Sequence, residues 1–192
     1  MNEIYKLSED KATLIKPKKK RIKEATIPRD IQIIGNEAFM GCDKLRNVYL
    51  PESVCIIENH AFYGCSSLQK LHLPNSIIEI GDSAFASCFA LQEINIPQYL
   101  TIIKERTFEG CGLLKRISIP ANITEIEREV FDDCTSLREI HSHILEIETC
   151  DINPGAFDNF DCDNCTLYVP AGTAETYKAH EVFGKFKNIV EE

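Results

Sequence analysis

Hydrophobic residues recur along the chain with a period of 23 residues. A unit of this length cannot bury its apolar side chains alone, whereas stacked units bury them against their neighbours in one continuous core. The pattern therefore predicts a repeat solenoid. Five positions of the 23-residue unit hold the same residue type in all five copies, and each set of equivalent residues forms a column along the stack: Pro28, Pro51, Pro74, Pro97 and Pro120; Ile34, Ile57, Ile80, Ile103 and Ile126; Phe39, Phe62, Phe85, Phe108 and Phe131; Cys42, Cys65, Cys88, Cys111 and Cys134; Leu45, Leu68, Leu91, Leu114 and Leu137.

Each unit divides into two apolar segments and a turn. Residues 94–96 alternate in hydrophobicity, which predicts a short strand with one inward face, and Pro97 ends it because proline cannot donate to a ladder. A second apolar segment follows, as at 77–80, and residues 83–88 are predicted to form one helical or 3₁₀ turn. The expected architecture has such turns opposite a single parallel sheet, with strands near 48–50, 71–73, 94–96, 117–119 and 140–142.

These units resemble the BspA-like leucine-rich repeats of bacterial and some protist proteins. Residues 31–42, with the sequence IQIIGNEAFMGC, carry the pattern well, and the resemblance covers residues 25–169. Residues 166–173, with the sequence TLYVPAGT, are similar to the segment that closes such arrays. The resemblance implies a leucine-rich-repeat fold in a secreted or cell-surface protein that contacts host or neighbouring-cell proteins. The family is defined by its scaffold, so the resemblance specifies the fold rather than a particular function.

Both ends of the repeat array depart from the period, as expected for units that cap a stack. In the sixth unit, His143 stands where proline is due, and Phe157 follows Phe131 by 26 residues, which indicates an insertion within 147–155. The predicted organisation is a β-hairpin cap at 1–27, five regular units and one irregular unit at 28–169, and a C-terminal cap at 170–192. A helix is expected over 173–180, capped by Thr173, with the end sealed by Phe183, Phe186, Ile189 and Val190.

The charge distribution narrows the choice of partners. The formal net charge of -9 argues against a general nucleic-acid binder. No apolar run approaches the roughly 18 residues of a membrane helix. Residues 1–6 lack a signal-peptide core, so the chain is expected either to be cytoplasmic or to have lost a leader. Residues 17–21 form a basic run that can be a charged turn, a nuclear address or a patch for an acidic partner.

The nine cysteines raise the question of metal or redox chemistry. Stacked strands are about 4.8 Å apart, so the repeat cysteines form a column in which five cannot all pair. They are predicted to be buried, reduced side chains. Cys162 and Cys165 form a lone C-x-x-C motif to which Cys150 could add a ligand, which leaves a disulfide, a metal site or free thiols open. We expect Cys162 and Cys165 to react first, because they lie near the cap.

Other chemistry-bearing residues give weaker signals. The acidic segment 158–163 lacks the glycine of a calcium loop. His141 and His143 share one face of a strand but lack a third metal ligand nearby. No nucleophile, base and orienting group converge on a cleft in the sequence pattern. The chain is therefore expected to be no enzyme and to use no cofactor or metal. A weak rival is an enzyme that uses the C-terminal Cys, His and Asp residues.

The residues between the inward positions of each strand must face outward, and they vary while the core columns do not. One outward column alternates in charge, which can stabilise neighbouring strands by about 0.2–1 kcal/mol per pair. The other offers amphipathic and hydrogen-bonding groups. We predict a monomeric, non-catalytic protein-binding or adhesion module that uses this face, with a structural spacer of a larger surface protein as the alternative. The columns are Asn47, Lys70, Glu93, Arg116 and Glu139, and Tyr49, His72, Asn95, Ser118 and His141.

Overall fold

The structure, a computed structural model, describes residues 4–192, so that residues 1–3 of the predicted cap lie outside the described residues. Among residues 4–192, 3₁₀ helices are formed by Ile147–Thr149 and Phe183–Lys185. The remaining elements, in chain order, are β1 (Tyr5–Leu7), β2 (Thr13–Pro17), β3 (Glu24–Thr26), β4 (Ile33–Ile34), β5 (Asn47–Tyr49), β6 (Ile56–Ile57), β7 (Lys70–Leu71), β8 (Glu79–Ile80), β9 (Glu93–Ile94), β10 (Ile102–Ile103), β11 (Arg116–Ile119), β12 (Glu125–Ile126), β13 (Glu139–Ser142), β14 (Asp151–Ile152), β15 (Thr166–Val169), α1 (Ala174–Ala179) and β16 (Asn188–Glu191).

The chain winds into a parallel β-solenoid of about eight turns, which confirms the predicted fold class. The predicted strands lie on one side as the ladders β3-β5-β7-β9 and β11-β13-β15-β16. The second apolar segment of each unit also forms strands, in the ladders β2-β4-β6-β8 and β10-β12-β14. Successive isoleucines pair in register, since Ile34 faces Ile57 and Ile57 faces Ile80.

Both sides of the solenoid are interrupted at the same step, between the third and fourth regular units. Strand β9 does not pair with β11, and β8 does not pair with β10, whereas the turns between them remain bonded. The Phe85 amide, for example, donates to the Thr107 carbonyl at 3.0 Å. The expectation of one continuous sheet is therefore wrong at this step. The opening leaves a depression on each side of the stack.

The turns that connect the two sides differ from the predicted helical or 3₁₀ conformation. In the first turn the backbone is left-handed at Glu37 (φ 55°) and Gly41 (φ 68°), and the same two positions are left-handed in each of the following four turns. This alternation points successive amides in different directions. The Ala38 amide closes a tight turn onto Gly35, while the Phe39 amide donates to the Ala61 carbonyl of the next unit at 2.7 Å. The turns thus form a third ladder along the solenoid.

The phenylalanine and cysteine columns fill the space behind the turns. The six phenylalanine rings from Phe39 to Phe157 form a continuous stack with centroids 5.1–6.0 Å apart. From the second unit onward, each repeat cysteine thiol donates to a phenylalanine carbonyl of the preceding unit, as from Cys88 Sγ to Phe62 O at 3.3 Å. Burial raises the pKa of Cys88 to about 12. The buried, reduced column predicted from the sequence is present, with a hydrogen bond added to its packing.

Caps cover both ends of the core in ways that depart from the sequence predictions. Strands β1 and β2 form an antiparallel hairpin, but β3 belongs to the parallel ladder and not to the hairpin. The Thr173 hydroxyl bonds to the Pro170 carbonyl, and the Glu191 carboxylate instead accepts from the first helical amide, at Ala174. Val190, 44% exposed, lies on the unpredicted edge strand β16 and does not seal the core.

Candidate functional site

The sheet face carries a groove where the ladder is interrupted. Residues 93–95 of the third regular unit lie on one side of the interruption and residues 116–118 of the fourth on the other. The side chains of Lys70, His72 and His141 extend the groove into the neighbouring strands. The groove therefore brings seven of the ten predicted site residues to one surface: Lys70, His72, Glu93, Asn95, Arg116, Ser118 and His141.

One wall of the groove is the charged column. Lys70 Nζ lies 2.6 Å from Glu93, and Arg116 reaches the other oxygen of the same carboxylate at 3.9 Å, across the interrupted step. The hydrogen bond from Lys70 and the nearby cations hold the pKa of Glu93 below its usual value. These side chains are more than half exposed, so the ion pairs add little to stability and can exchange for a partner's charges. Glu139 lines an adjoining depression beside Arg116.

In the second outward column, from Tyr49 to His141, some polar groups already have partners within the chain. The Asn95 amide is fully engaged with the backbone of the preceding unit, since it donates to Leu73 O and accepts from Leu73 N, both at 2.8 Å. It replaces the backbone pairing that would lengthen β7 and β9. His141 stacks on Tyr168 with ring centroids 4.5 Å apart, and its Nδ1 lies 2.9 Å from Glu192. The exposed His72 and Ser118 are the groups in this column best placed to meet a ligand.

Three predicted site residues lie outside the groove: Glu139, which lines the adjoining depression, Tyr49 and Asn47. Tyr49 is 57% exposed and sits one strand nearer to the N-terminal end. The pairing of β5 with β7 is confined to Asn47 and Lys70, so the ladder does not hold Tyr49 beside His72 of the next unit. The Asn47 amide donates to the Glu24 carboxylate at 3.0 Å.

The structure also brings together residues that the sequence analysis did not connect. Ser118 Oγ lies 2.8 Å from His143 Nε2, although 25 residues separate them. Within residues 4–192, no carboxylate bonds to His143, so this pair lacks the third group that orients a catalytic histidine. Tyr168 is one strand further along than His141, but the irregular sixth unit hides it from a search at a step of 23 residues.

Comparison with known proteins agrees with this architecture. A family model described as BspA type leucine rich repeat region matches six copies over residues 18–138. The chain belongs to the BspA-type leucine-rich repeat family. No curated protein matches it.

Several solved structures resemble this BspA-type chain. A leucine-rich repeat protein from Eubacterium ventriosum superposes with a TM-score of 0.64 at 21% identity, over 83% of this chain and 50% of that one. The pneumococcal vaccine antigen PcpA gives 0.59 at 20% identity, over 100% of this chain and 48% of that one. The T. pallidum leucine rich repeat protein TpLRR gives 0.50 at 24% identity, over 69% and 86%. The chain spans about half the length of the first two, and at these identities the likeness shows the fold alone.

The two cysteines of the C-x-x-C motif, Cys162 and Cys165, are buried in this BspA-type stack. Cys165 is fully buried and Cys162 is 9% exposed, so both are packed into the core. Burial raises the pKa of Cys162 to about 11 and that of Cys165 to about 12. Within residues 4–192, no cluster of three or more His, Cys, Asp or Glu side chains is arranged to hold a metal ion. In the same part of the chain, no helix has the length and hydrophobicity needed to cross a bilayer.

Proposed function

We propose that this chain is a non-catalytic protein-binding module whose partner occupies the groove on the sheet face. The observation that carries the proposal is the interrupted step between β9 and β11, which exposes opposite charges and hydrogen-bonding groups. A concave surface of this kind is the usual binding surface of stacked repeats. Residues 28–169 would present the groove, and the segments 1–27 and 170–192 would close the ends.

The chemistry of the groove favours a protein partner with mixed charge. Glu93 lies between Lys70 and Arg116, and His72 and Ser118 supply hydrogen-bonding groups beside them. A ligand of one sign would meet both attraction and repulsion here, whereas a protein surface can present complementary charges at this spacing. A monomer at the surface of a cell, or secreted from it, fits the family, and an adhesive contact with another cell is the role we favour.

The alternative of a structural spacer makes a different prediction about this surface. A spacer needs only the stack and its end contacts, so nothing would select for an open groove in the middle of the array. The interrupted ladder on the sheet side therefore favours the binding module over the spacer.

A photo-crosslinking screen tests the proposal. A benzophenone amino acid is placed at Ser118 in the groove and, as the matched control, at the exposed Thr124 on the opposite side of the stack. Each protein is incubated with a panel of purified extracellular and cell-surface proteins and then irradiated. The proposal expects a partner that crosslinks from position 118 and not from position 124. A panel member that binds the chain but crosslinks only from position 124 would place the binding surface elsewhere.

A further inference from the structure

The turn ladder has a direction that is the same in every unit. In the first turn, the amides of Glu37, Phe39 and Gly41 donate to carbonyls of the second turn at 2.7–3.0 Å. The second turn donates to the third in the same way, from His60, Phe62 and Gly64. The donors therefore point towards the C-terminal end of the stack, and the acceptor carbonyls point towards the N-terminal end.

The first turn leaves three of these acceptors without a donor in the described chain, two in the exposed residues Asn36 and Met40 and one in Ala38, which is 3% exposed. Its equivalent carbonyls belong to Asn36, Ala38 and Met40, and within residues 4–192 none of the three accepts a hydrogen bond. In the next four turns the carbonyls at these positions accept from the unit before them. An open row of backbone acceptors at the edge of a ladder is a template for adding another peptide segment.

A basic cavity lies directly beside the open row. It is lined by Lys6, Lys16, Lys18 and Lys20 of the N-terminal cap, while Pro17, Ala38, Met40, Gly41 and Cys42 form its largely apolar remainder. Glu37 is the one acidic residue among those that line it. The cavity therefore combines positive charge, an apolar floor and a row of hydrogen-bond acceptors.

Two of these lysines, Lys6 and Lys16, repel each other, and a negatively charged ligand would reduce this repulsion. Lys6 and Lys16 face each other directly across β1 and β2, and like charges in that position destabilise a hairpin. Within residues 4–192, neither they nor Lys20 form an ion pair, whereas Lys70, Lys104, Lys178 and Lys187 each do. Within the described part of the chain, Lys6, Lys16 and Lys20 therefore place positive charge without an ion pair at one end of an otherwise acidic molecule.

We propose that this end of the stack binds an acidic segment of a protein partner, laid along the open row as one further step of the turn ladder. Alternate backbone N–H groups of the segment donate to the carbonyls of Asn36, Ala38 and Met40. Its carboxylates pair with Lys6 and Lys16, and an apolar side chain between them packs on the floor of the cavity. A sulfated polysaccharide could satisfy the charge, but it offers no regular row of amide donors. The site is separate from the sheet-face groove and does not depend on it.

The charge part of the proposal is tested with a synthetic peptide of alternating glutamate and valine, labelled with fluorescein and followed by fluorescence anisotropy. The double variant Lys6→Gln/Lys16→Gln should bind it about tenfold more weakly than the unmodified chain. The matched control Lys178→Gln/Lys187→Gln removes the same charge at the opposite end and should stay within about twofold. All four lysines are exposed, so the fold is retained, and thermal melting followed by circular dichroism verifies this. Equal weakening in both variants, or in neither, would overturn the proposal.

The backbone part is tested with two further peptides that keep every charge but are N-methylated at one or the other set of alternate residues. At least one of them should bind about tenfold more weakly, because its donors to the carbonyl row are lost. If both bind as well as the unmethylated peptide, or if a sulfated oligosaccharide of equal charge binds more tightly, the site is a simple polyanion site and the proposal is wrong. The variant His72→Ala/Arg116→Ala should bind the peptide normally, which separates this result from the fate of the sheet-face groove.

Discussion

At the scale of single residues, the cysteine column shows why this side chain recurs in every turn. The Phe62 carbonyl accepts the Cys65 amide of its own turn and also the Cys88 thiol of the next unit, at 3.1 and 3.3 Å. A thiol is small enough for the crowded interior and still supplies a weak donor. The sequence could predict burial from the apolar position, but not this bond, because the direction of the Phe62 carbonyl depends on a turn with left-handed backbone at His60 and Gly64.

Burial of these thiols makes stability depend on alkaline pH. The pKa of Cys88 is raised to about 12 by burial, so on raising the pH its unfolded form ionises near the usual thiol pKa of 9.0 while its folded form stays protonated. The stabilisation is fully present below that usual value and is lost as the pH rises from it towards the folded-state pKa. Between about pH 8 and about pH 10, Cys88→Ala should lose about 1 kcal/mol less of its free energy of unfolding than the unmodified chain does. Urea unfolding at the two pH values measures this, and equal losses in both proteins would show that Cys88 ionises in the folded state.

The order of thiol reactivity follows from exposure and differs from the sequence expectation. Cys55 and Cys150 are the partly exposed thiols within the described chain, whereas Cys162 and Cys165 are buried. Position near the cap was a poor guide to exposure, because both cysteines of this motif are packed into the hydrophobic core. We therefore expect Cys55 and Cys150 to be labelled first by a thiol reagent, as followed by peptide mass spectrometry. Labelling of Cys88 at the same rate as Cys55 in the folded state would contradict the packing.

At the scale of elements, the turns depend on residues that tolerate left-handed backbone. The position before each repeat cysteine is glycine at 41, 64 and 110, with φ of 68° in each, but it is Ser87 in the third regular unit, with φ of 59°. A side chain in this conformation costs about 1 kcal/mol relative to glycine. The residue types alone could not show that Ser87 shares the backbone conformation of these three glycines.

Replacement of Ser87 by glycine should therefore stabilise the fold. We expect Ser87→Gly to raise the free energy of unfolding by about 0.5–1 kcal/mol, measured by urea denaturation. Ser87→Ala, which keeps the β-carbon, serves as the control and should give no gain. If alanine stabilises as much as glycine does, left-handed strain at this turn is not the reason.

How far the sequence could predict an element depended on how strictly that element keeps the period. The isoleucine, phenylalanine and cysteine columns predicted the core, because packing repeats from unit to unit. The interruption between β9 and β11 was missed, because the hydrophobic pattern continues through it unchanged. Tyr168 and Glu192 were missed as neighbours of His141, since Tyr168 comes from an irregular unit and Glu192 follows the last strand, β16.

At the scale of the whole molecule, the solenoid consists of two laddered halves joined through the turns. The strand ladders stop on both sides at one step, and each side has its own depression there. Ion pairs cross the step on both sides, between Arg116 and Glu93 and between Lys104 and Glu79. The sheet-side depression carries the polar groups of the proposed binding surface, and the opposite one is lined mainly by aliphatic side chains with Glu79 and Lys104 at its edge.

The affinity of one partner for two matched variants tests the central claim most directly. With the partner found by crosslinking, surface plasmon resonance compares the unmodified chain with His72→Ala/Arg116→Ala in the groove and with Ile78→Ala/Thr101→Ala in the opposite depression. All four side chains are exposed, so stability should change little. The groove variant should bind about tenfold more weakly, a loss of about 1–2 kcal/mol, while the opposite variant binds as the unmodified chain does. Unchanged binding by the groove variant, or the loss appearing in the opposite variant, would contradict the account.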